Sequence, residues 1–157
     1  MDSRFGEKRL TVLLIEDDDF DAAAVEREMA KAGVGSRIVR ATSGREGLDV
    51  LREIRSEGGP LLVILDLNLP DMDGKDVLAR IRGDRDLADV VVFVLSTSVD
   101  PRDLRRSFDL HVAAYIVKDV AGSSLRGVVD MIEAYRRCAR FPEDAGRIGR
   151  RCTVRAS

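Results

Sequence analysis

The sequence has few residues of the kinds that form disulfide frameworks or zinc sites, and it has no long hydrophobic run. Two cysteines, Cys138 and Cys152, and one histidine, His111, are too few for such sites. No apolar run approaches the roughly 18 to 20 residues of a membrane-spanning helix, and "MDSRFGEKRLT" lacks the apolar segment of a signal peptide. We therefore expect a cytoplasmic protein with ordinary thiols and a histidine that has no ligand role.

An excess of positive charge is also missing. The 26 Lys and Arg residues nearly balance the 28 Asp and Glu residues, which gives a net charge of −2. Proteins that bind nucleic acid by displacing counterions carry a basic excess or a dense basic face, so nucleic acid is not an expected partner. The 157 residues are enough for one well-packed domain and short for two.

Apolar runs alternate along the chain with segments of helical periodicity. Five runs are predicted as strands: "LTVLLI" (10–15), "SRIVRAT" (36–42), "LLVIL" (61–65), "VVVFVL" (90–95) and "HVAAYIV" (111–117). The intervening helices include 74–82, 100–108 and a last helix that begins near Ala121. Strands that are apolar on both faces and separated by amphipathic helices predict an α/β fold whose parallel sheet is covered on both sides.

These elements divide the chain into three parts. We predict an N-terminal arm over residues 1–9, one domain over 10–139 and a C-terminal tail over 140–157. The tail is rich in Arg and Gly and has little apolar periodicity, so a flexible tail is expected. A tail that packs on a partner is the alternative.

Reactive side chains follow four of the predicted strands at the point where each strand ends. Glu16 and Asp17 follow the first strand, and Asp66 follows the third. Ser96 follows the fourth strand and Lys118 the fifth. Because ligands of open parallel sheets bind beyond the carboxyl ends of the strands, we expect these side chains to meet at one edge.

The acidic residues favour a divalent cation at this edge. Glu16 and Asp17 could simply cap the following helix, but they come before the best capping positions, and they would repel Asp66 unless a cation lay between them. Mg²⁺ prefers oxygen ligands and one or two carboxylates. We predict that Asp17 and Asp66 bind it directly, with Glu16 acting through water and Asn68 adding its backbone carbonyl.

Asp66 also suits a second role. A carboxylate can attack phosphorus to form an acyl phosphate, a reaction that depends mainly on positioning and charge neutralisation. Lys118 would neutralise one phosphoryl oxygen, and the Ser96 hydroxyl would donate to another. A lone lysine or serine at a strand end is usually an exposed residue without a specific role. Only the combination of Lys118 and Ser96 with the carboxylates indicates chemistry.

Four segments, "LLIEDD", "LDLNLPDMDG", "VLSTS" and "YIVKD", resemble the receiver domains of bacterial two-component response regulators in order and spacing. The resemblance covers about residues 10–138. It implies a flavodoxin-like sheet of five β-α units with strand order 2-1-3-4-5. It also implies phosphotransfer from a phosphohistidine of a sensor kinase to Asp66, with Mg²⁺ held by Glu16, Asp17 and Asp66. Ser96 and Lys118 would be the switch hydroxyl and the site lysine.

The resemblance extends to partners. Tyr115 matches the aromatic residue of the switch. The segments "SFDLHVAAYIVKD" and "LDLNLPDMDGKDVL" are similar to small stand-alone receivers that pair with bacterial phytochromes and related kinases. A sensor histidine kinase is therefore the expected partner, with a bacterial phytochrome as one candidate. No output domain is visible, so we predict signalling through a homodimer formed by the fourth helix, the fifth strand and the fifth helix.

Two departures and two alternatives accompany this interpretation. Family members usually have Pro, after a cis bond, where this chain has Asp119; we expect a trans bond and a rearranged loop. Ser96 replaces the more common Thr.

Haloacid dehalogenase-like phosphatases also use a strand-end Asp with Mg²⁺, but they need a second Asp where this chain has Asn68. The other alternative is a pseudo-receiver that only docks partners. We predict a phosphoacceptor rather than a turnover enzyme.

Overall fold

Five strands and five helices alternate in the computed structural model, which describes residues 9–33, 36–122 and 124–144. In chain order they are β1 (Thr11–Ile15), α1 (Asp19–Lys31), β2 (Arg37–Ala41), α2 (Gly44–Glu57), β3 (Leu61–Asp66), α3 (Gly74–Gly83), β4 (Val91–Ser96), α4 (Pro101–Asp109), β5 (Ala114–Val117) and α5 (Arg126–Cys138).

The strands form one parallel sheet of order β2-β1-β3-β4-β5. Ile15 is level with Leu65 on β3, and Ser96 is level with Val117 on β5. The residues that follow β1, β3, β4 and β5 are therefore at the same edge. The predicted strand order and α/β fold are confirmed.

Both faces of the sheet are buried, which explains the continuous apolar runs of the inner strands. Alternate residues such as Leu14, Ile64 and Phe93 pack with the apolar sides of α1 and α5. The intervening residues, such as Leu13 and Val63, pack with α2 and α3 on the other face. Each fully buried aliphatic side chain contributes about 1.5–3 kcal/mol, so both helical layers are needed to cover the sheet.

Side-chain caps fix where the helices begin. Asp18, Ser43, Asp73 and Asp100 each accept a hydrogen bond from a backbone N–H in the first turn of the helix that follows. Pro101 then occupies the first position of α4, where its missing N–H costs nothing. Each of these four helices begins directly after its capping residue, whereas α5 has no side-chain cap.

The start of β5 and the start of α5 differ from the prediction. The strand begins at Ala114 rather than at residue 111, because His111 has a φ of 56° and ends the turn after α4. The helix begins at Arg126 rather than near Ala121, because Leu125 also has a φ of 56° and cannot continue a helix. His111 is exposed.

The first residues of the predicted tail contact the domain. Phe141 is buried, and its ring stacks edge-on against Tyr135 at a centroid distance of 5.6 Å. Glu143 forms an ion pair with Arg55 of α2. The rest of the predicted tail, including Cys152, and residues 1–8 of the predicted arm lie outside the described residues. Within the described ranges, no helix is long and apolar enough to cross a membrane.

Candidate functional site

Three carboxylates meet at the carboxyl edge of the sheet. One oxygen from each of Glu16, Asp17 and Asp66 lies within 4.8 Å of the others. Glu16 and Asp66 are only 1% and 4% exposed, whereas Asp17 is open to solvent. A half-open cluster of carboxylate oxygens is a suitable ligand set for a hard divalent cation.

Local hydrogen bonds hold these carboxylates in place. Oε1 of Glu16 accepts from the Asp18 amide at 3.1 Å, and Oδ1 of Asp66 accepts from the Asn68 amide at 3.1 Å. Arg40 of β2 donates to the backbone carbonyls of Glu16 and Asp17, at 3.0 and 3.2 Å. The predicted contact of the Asn68 carbonyl with a metal stays a prediction, although the Asn68 backbone lies beside Asp66.

The proximity of two buried carboxylates changes the acidity of Glu16. Burial raises its pKa to about 7, and the neighbouring Asp66 acts in the same direction. Lys118 opposes both effects only in part. A divalent cation would favour the ionised form of Glu16 and so reverse this shift.

Lys118 reaches the centre of the acidic cluster. Its Nζ lies 3.0 Å from Oε2 of Glu16, 2.8 Å from Oδ2 of Asp21 and 3.3 Å from Oδ2 of Asp66. Burial disfavours the ammonium, but these carboxylates outweigh it and raise the pKa of Lys118, so the side chain stays charged. No cis peptide bond occurs in the described residues, which confirms the trans bond expected before Asp119.

Ser96 and Tyr115 both contact Ser98 in the loop between β4 and α4. The fully buried Ser96 accepts a hydrogen bond on its Oγ from the Ser98 amide, at 3.1 Å. The Tyr115 hydroxyl donates to the Ser98 carbonyl, also at 3.1 Å. No hydrogen bond joins Ser96 to Asp66 in the described part of the chain. The two predicted switch residues are thus linked through one backbone segment.

Several residues of this edge were not predicted from the sequence. The Ser98 hydroxyl donates to Asp103 of α4 at 2.6 Å, and Lys75 of α3 pairs with the same carboxylate. The hydrogen bonds from Lys75 and Ser98 lower the pKa of Asp103. Asp21 was missed as well. These residues lie within helices or beyond a strand end, so a search for reactive groups directly at strand ends does not find them.

The fold and these side chains define a flavodoxin-like domain with an acidic site, a hydroxyl and a lysine at the carboxyl edge of its sheet. A sequence model of the response regulator receiver domain family matches residues 12–130. The chain belongs to this family. Receiver domains accept a phosphoryl group in phosphorelay signalling, and this is the functional class of the chain.

Two curated relatives match the chain over most of their own length. The probable methanogenesis regulatory protein FilR2 of Methanothrix harundinacea is 36% identical over 127 residues, which are 79% of this chain and 81% of FilR2. The response regulator Rcp1 of Synechocystis sp. is 32% identical over 127 residues, which are 79% of this chain and 86% of Rcp1.

Solved structures support the same assignment. The phosphorylated cyanobacterial phytochrome response regulator RcpA superposes with a TM-score of 0.76 at 36% identity, covering 86% of this chain and 99% of RcpA. The Mn²⁺-bound form of Rcp1 superposes with a TM-score of 0.74 at 31% identity, covering 84% of this chain and 98% of Rcp1. The predicted resemblance to phytochrome-associated regulators is confirmed.

Proposed function

We propose that Asp66 is the phosphoacceptor of this receiver domain. The observation that carries the proposal is the position of its carboxylate, which is buried at the end of β3 beside Glu16 and 3.3 Å from the Lys118 ammonium. A buried carboxylate is costly unless a cation or hydrogen bonds compensate its charge, and here Lys118 supplies the cation. The phosphoryl oxygens that approach such a nucleophile carry negative charge, and a nearby cation is needed to neutralise it.

In the proposed reaction, an Asp66 carboxylate oxygen bonds to phosphorus as the bond from phosphorus to the donor nitrogen of a phosphohistidine breaks. The electron pair of that bond returns to the imidazole. Lys118 pairs with one phosphoryl oxygen, and the Ser96 hydroxyl donates to another. The Lys118 ammonium already lies 3.3 Å from Asp66, so it needs little reorganisation, whereas the Ser96 hydroxyl must turn toward the phosphoryl group.

We propose Mg²⁺ as the cation of the site. Glu16, Asp17, Asp66 and the backbone carbonyl of Asn68 would hold it. The ligand set is entirely oxygen, which suits Mg²⁺, and the related Rcp1 has been seen with Mn²⁺. When bound, such a cation neutralises phosphoryl oxygens during transfer.

We propose that the signal leaves through Ser98. A Ser96 hydroxyl that turns toward a phosphoryl oxygen pulls on the Ser98 amide, and Tyr115 is bonded to the carbonyl of the same residue. The shift would change the surface of α4, β5 and α5. Leu104 and Phe108, one turn apart on α4, are 42% and 50% exposed. We propose a homodimer through this surface.

We propose a sensor histidine kinase as the phosphodonor, with a phytochrome as one candidate, because the related RcpA is a phytochrome response regulator. Since such kinases use ATP, the proposed location is the cytoplasm. Turnover as a phosphatase is disfavoured, because the amide of Asn68 cannot act as a general acid. A pseudo-receiver is disfavoured because Glu16, Asp66 and Lys118 are in mutual contact.

Intact-mass spectrometry after incubation with acetyl phosphate and Mg²⁺ tests the proposed function. The protein should gain one phosphoryl group, and Asp66→Asn should abolish the gain. Asp76→Asn, which removes an exposed acid from α3, should leave it unchanged. No gain with either acetyl phosphate or a cognate kinase would refute the proposal, and rapid release of many equivalents of phosphate would indicate a phosphatase.

A further inference from the structure

Asp21 holds the Lys118 ammonium but has no role in the chemistry described above. It lies in the first turn of α1, and its Oδ2 is 2.8 Å from Nζ of Lys118. This is the shortest of the three contacts that the ammonium makes with carboxylates, since Glu16 lies at 3.0 Å and Asp66 at 3.3 Å. The contact also ties the start of α1 to the end of β5.

The geometry of α1 directs Asp21 toward the site. Asp18 caps the helix by accepting from the Asp21 amide at 2.9 Å, which fixes the Asp21 backbone. The Asp21 side chain is 26% exposed and that of Lys118 is 11% exposed, so water screens this pair less than it screens a surface pair. The contact therefore differs from that of Asp19, two residues earlier in the same turn, whose side chain is 93% exposed and pairs with Arg40.

The three carboxylates around Lys118 have different proposed roles during phosphoryl transfer. Glu16 and Asp66 are the proposed ligands of a cation, and Asp66 also becomes the acyl phosphate. In the described residues, the Asp21 carboxylate contacts one cation, Lys118. The N–H of the Lys118 ammonium that faces Asp66 can donate to a phosphoryl oxygen instead, while the hydrogen bond to Asp21 stays in place. Of the three carboxylates, Asp21 is the one with no proposed part in cation binding or acyl phosphate formation, so it can hold the ammonium throughout.

A lysine needs such a partner because its charge sits on a flexible four-carbon stem. A charge stabilises a transition state best when it is already in position before the reaction. We propose that Asp21 is a positioning residue that anchors the Lys118 ammonium beside Asp66 for phosphoryl transfer. This inference rests on the proposed role of Asp66 as phosphoacceptor.

Three variants test the anchor: Asp21→Asn, the conservative Asp21→Glu, and Asp19→Asn as a control that removes the same charge from the same helical turn. The first measurement is the ¹⁵N-edited NMR resonance of the Lys118 ammonium, assigned by its loss in Lys118→Met. A slowly exchanging signal should appear in the unmodified protein and in Asp19→Asn. It should broaden or vanish in Asp21→Asn.

The second measurement is the rate of phosphorylation by acetyl phosphate over a range of Mg²⁺ concentrations. Asp21→Asn should slow the rate at saturating Mg²⁺ by about threefold or more, Asp21→Glu should recover part of it, and Asp19→Asn should match the unmodified protein. The Mg²⁺ concentration that gives half the maximal rate should not change in Asp21→Asn, because Asp21 is not a proposed metal ligand. If Asp21 were a metal ligand, Asp21→Asn would raise the Mg²⁺ concentration that gives half the maximal rate. If its role were purely structural, the variant would lower the melting temperature.

An unchanged rate in Asp21→Asn overturns the inference, whether or not the Lys118 resonance changes, and leaves Asp66 as phosphoacceptor intact. A failure of the unmodified protein to take up phosphate overturns the proposed function and the positioning role with it. The two failures are therefore distinguishable by the unmodified protein alone.

Discussion

Glu16 and Asp66 are buried side by side with one ammonium between them, so their charges are only partly compensated. Burial and the proximity of Asp66 give Glu16 a pKa of about 7. A cation bound by Glu16 would therefore compete with a proton for the same carboxylate, so that metal binding would depend on pH.

The first prediction concerns the pH dependence of stability. The pKa of Glu16 is raised from 4.5 to about 7 in the folded protein, so its contribution to stability is fully present below pH 4.5 and is lost as the pH rises through 7. Glu16→Gln does not titrate. In the presence of a chelator, its stability relative to the unmodified protein should therefore increase between pH 5 and pH 8 in urea denaturation. A difference in the free energy of unfolding that stays constant over this range would contradict the raised pKa of Glu16. With Mg²⁺ at pH 8, the unmodified protein should instead be the more stable of the two.

The second prediction concerns Gly74, which begins α3 directly below Asp66. A Cβ at this residue would lie 2.6 Å from the Leu67 Cα and still closer to the Asp66 carbonyl oxygen, and neither backbone atom can move aside cheaply. Gly74→Ala should lower the free energy of unfolding by about 1–3 kcal/mol and slow phosphorylation of Asp66. Gly83→Ala, at the open end of the same helix, should be neutral or stabilising. Equal stabilities in urea denaturation would contradict this account of Gly74.

At the scale of elements, α4 is held at both ends by different kinds of contact. At its C-terminal end, the Arg82 guanidinium donates to the carbonyls of Leu110 and His111, at 2.8 Å each, and to that of Val90, at 2.7 Å. At its N-terminal end, Asp103 accepts from Ser98 and pairs with Lys75. Only the N-terminal contacts include the residue that connects Ser96 and Tyr115. A switch at Ser96 should therefore move the N-terminal end of α4 first.

The third prediction follows from this arrangement. Asp103→Asn removes the charged acceptor of the Ser98 hydroxyl and should loosen the loop between β4 and α4. Hydrogen exchange of the Ser98 and Asp100 amides should become about tenfold faster, with exchange in β4 unchanged. Asp109→Asn, an exposed acid at the other end of α4, should leave both amides as they are. Equal exchange in both variants would show that Asp103 does not restrain the loop.

The elements show which parts of the fold and site could be predicted from sequence. The inner strands and the residues that end them were predicted because a strand buried on both faces has a distinctive apolar run. The starts of β5 and α5 were not, because His111 and Leu125 adopt positive φ angles that no local signal marks. Asp21 and Asp103 were not, because their partners depend on how helices pack on the sheet.

At the scale of the whole molecule, the carboxyl edge of the sheet is the proposed site of phosphoryl transfer, and the surface of α4, β5 and α5 is the proposed output. The exposed apolar side chains Leu104 and Phe108 lie one turn apart on α4, the helix that follows the loop containing Ser98. Single exposed apolar side chains are common on monomeric proteins, but these two could also form an apolar contact between two copies of the chain. In the proposed mechanism, phosphorylation of Asp66 would change association through this surface.

The fourth prediction is that phosphorylation strengthens self-association through α4. Light scattering should show a larger mean mass after treatment with acetyl phosphate and Mg²⁺. Phe108→Ser should abolish this increase because it removes apolar area from the proposed interface, whereas Phe20→Ser, an equally drastic change on α1 where Phe20 is 76% exposed, should not. A monomer at high concentration in both states would rule out the homodimer.

The most direct test of the central claim is to locate the phosphoryl group. Borohydride reduces an aspartyl phosphate to homoserine, and peptide mass spectrometry identifies the reduced position. After treatment with acetyl phosphate and Mg²⁺, homoserine should occur at residue 66 alone and should be absent when the cation is chelated. Homoserine at another aspartate, or its absence from a protein shown to carry phosphate, would contradict the assignment of Asp66 as the phosphoacceptor.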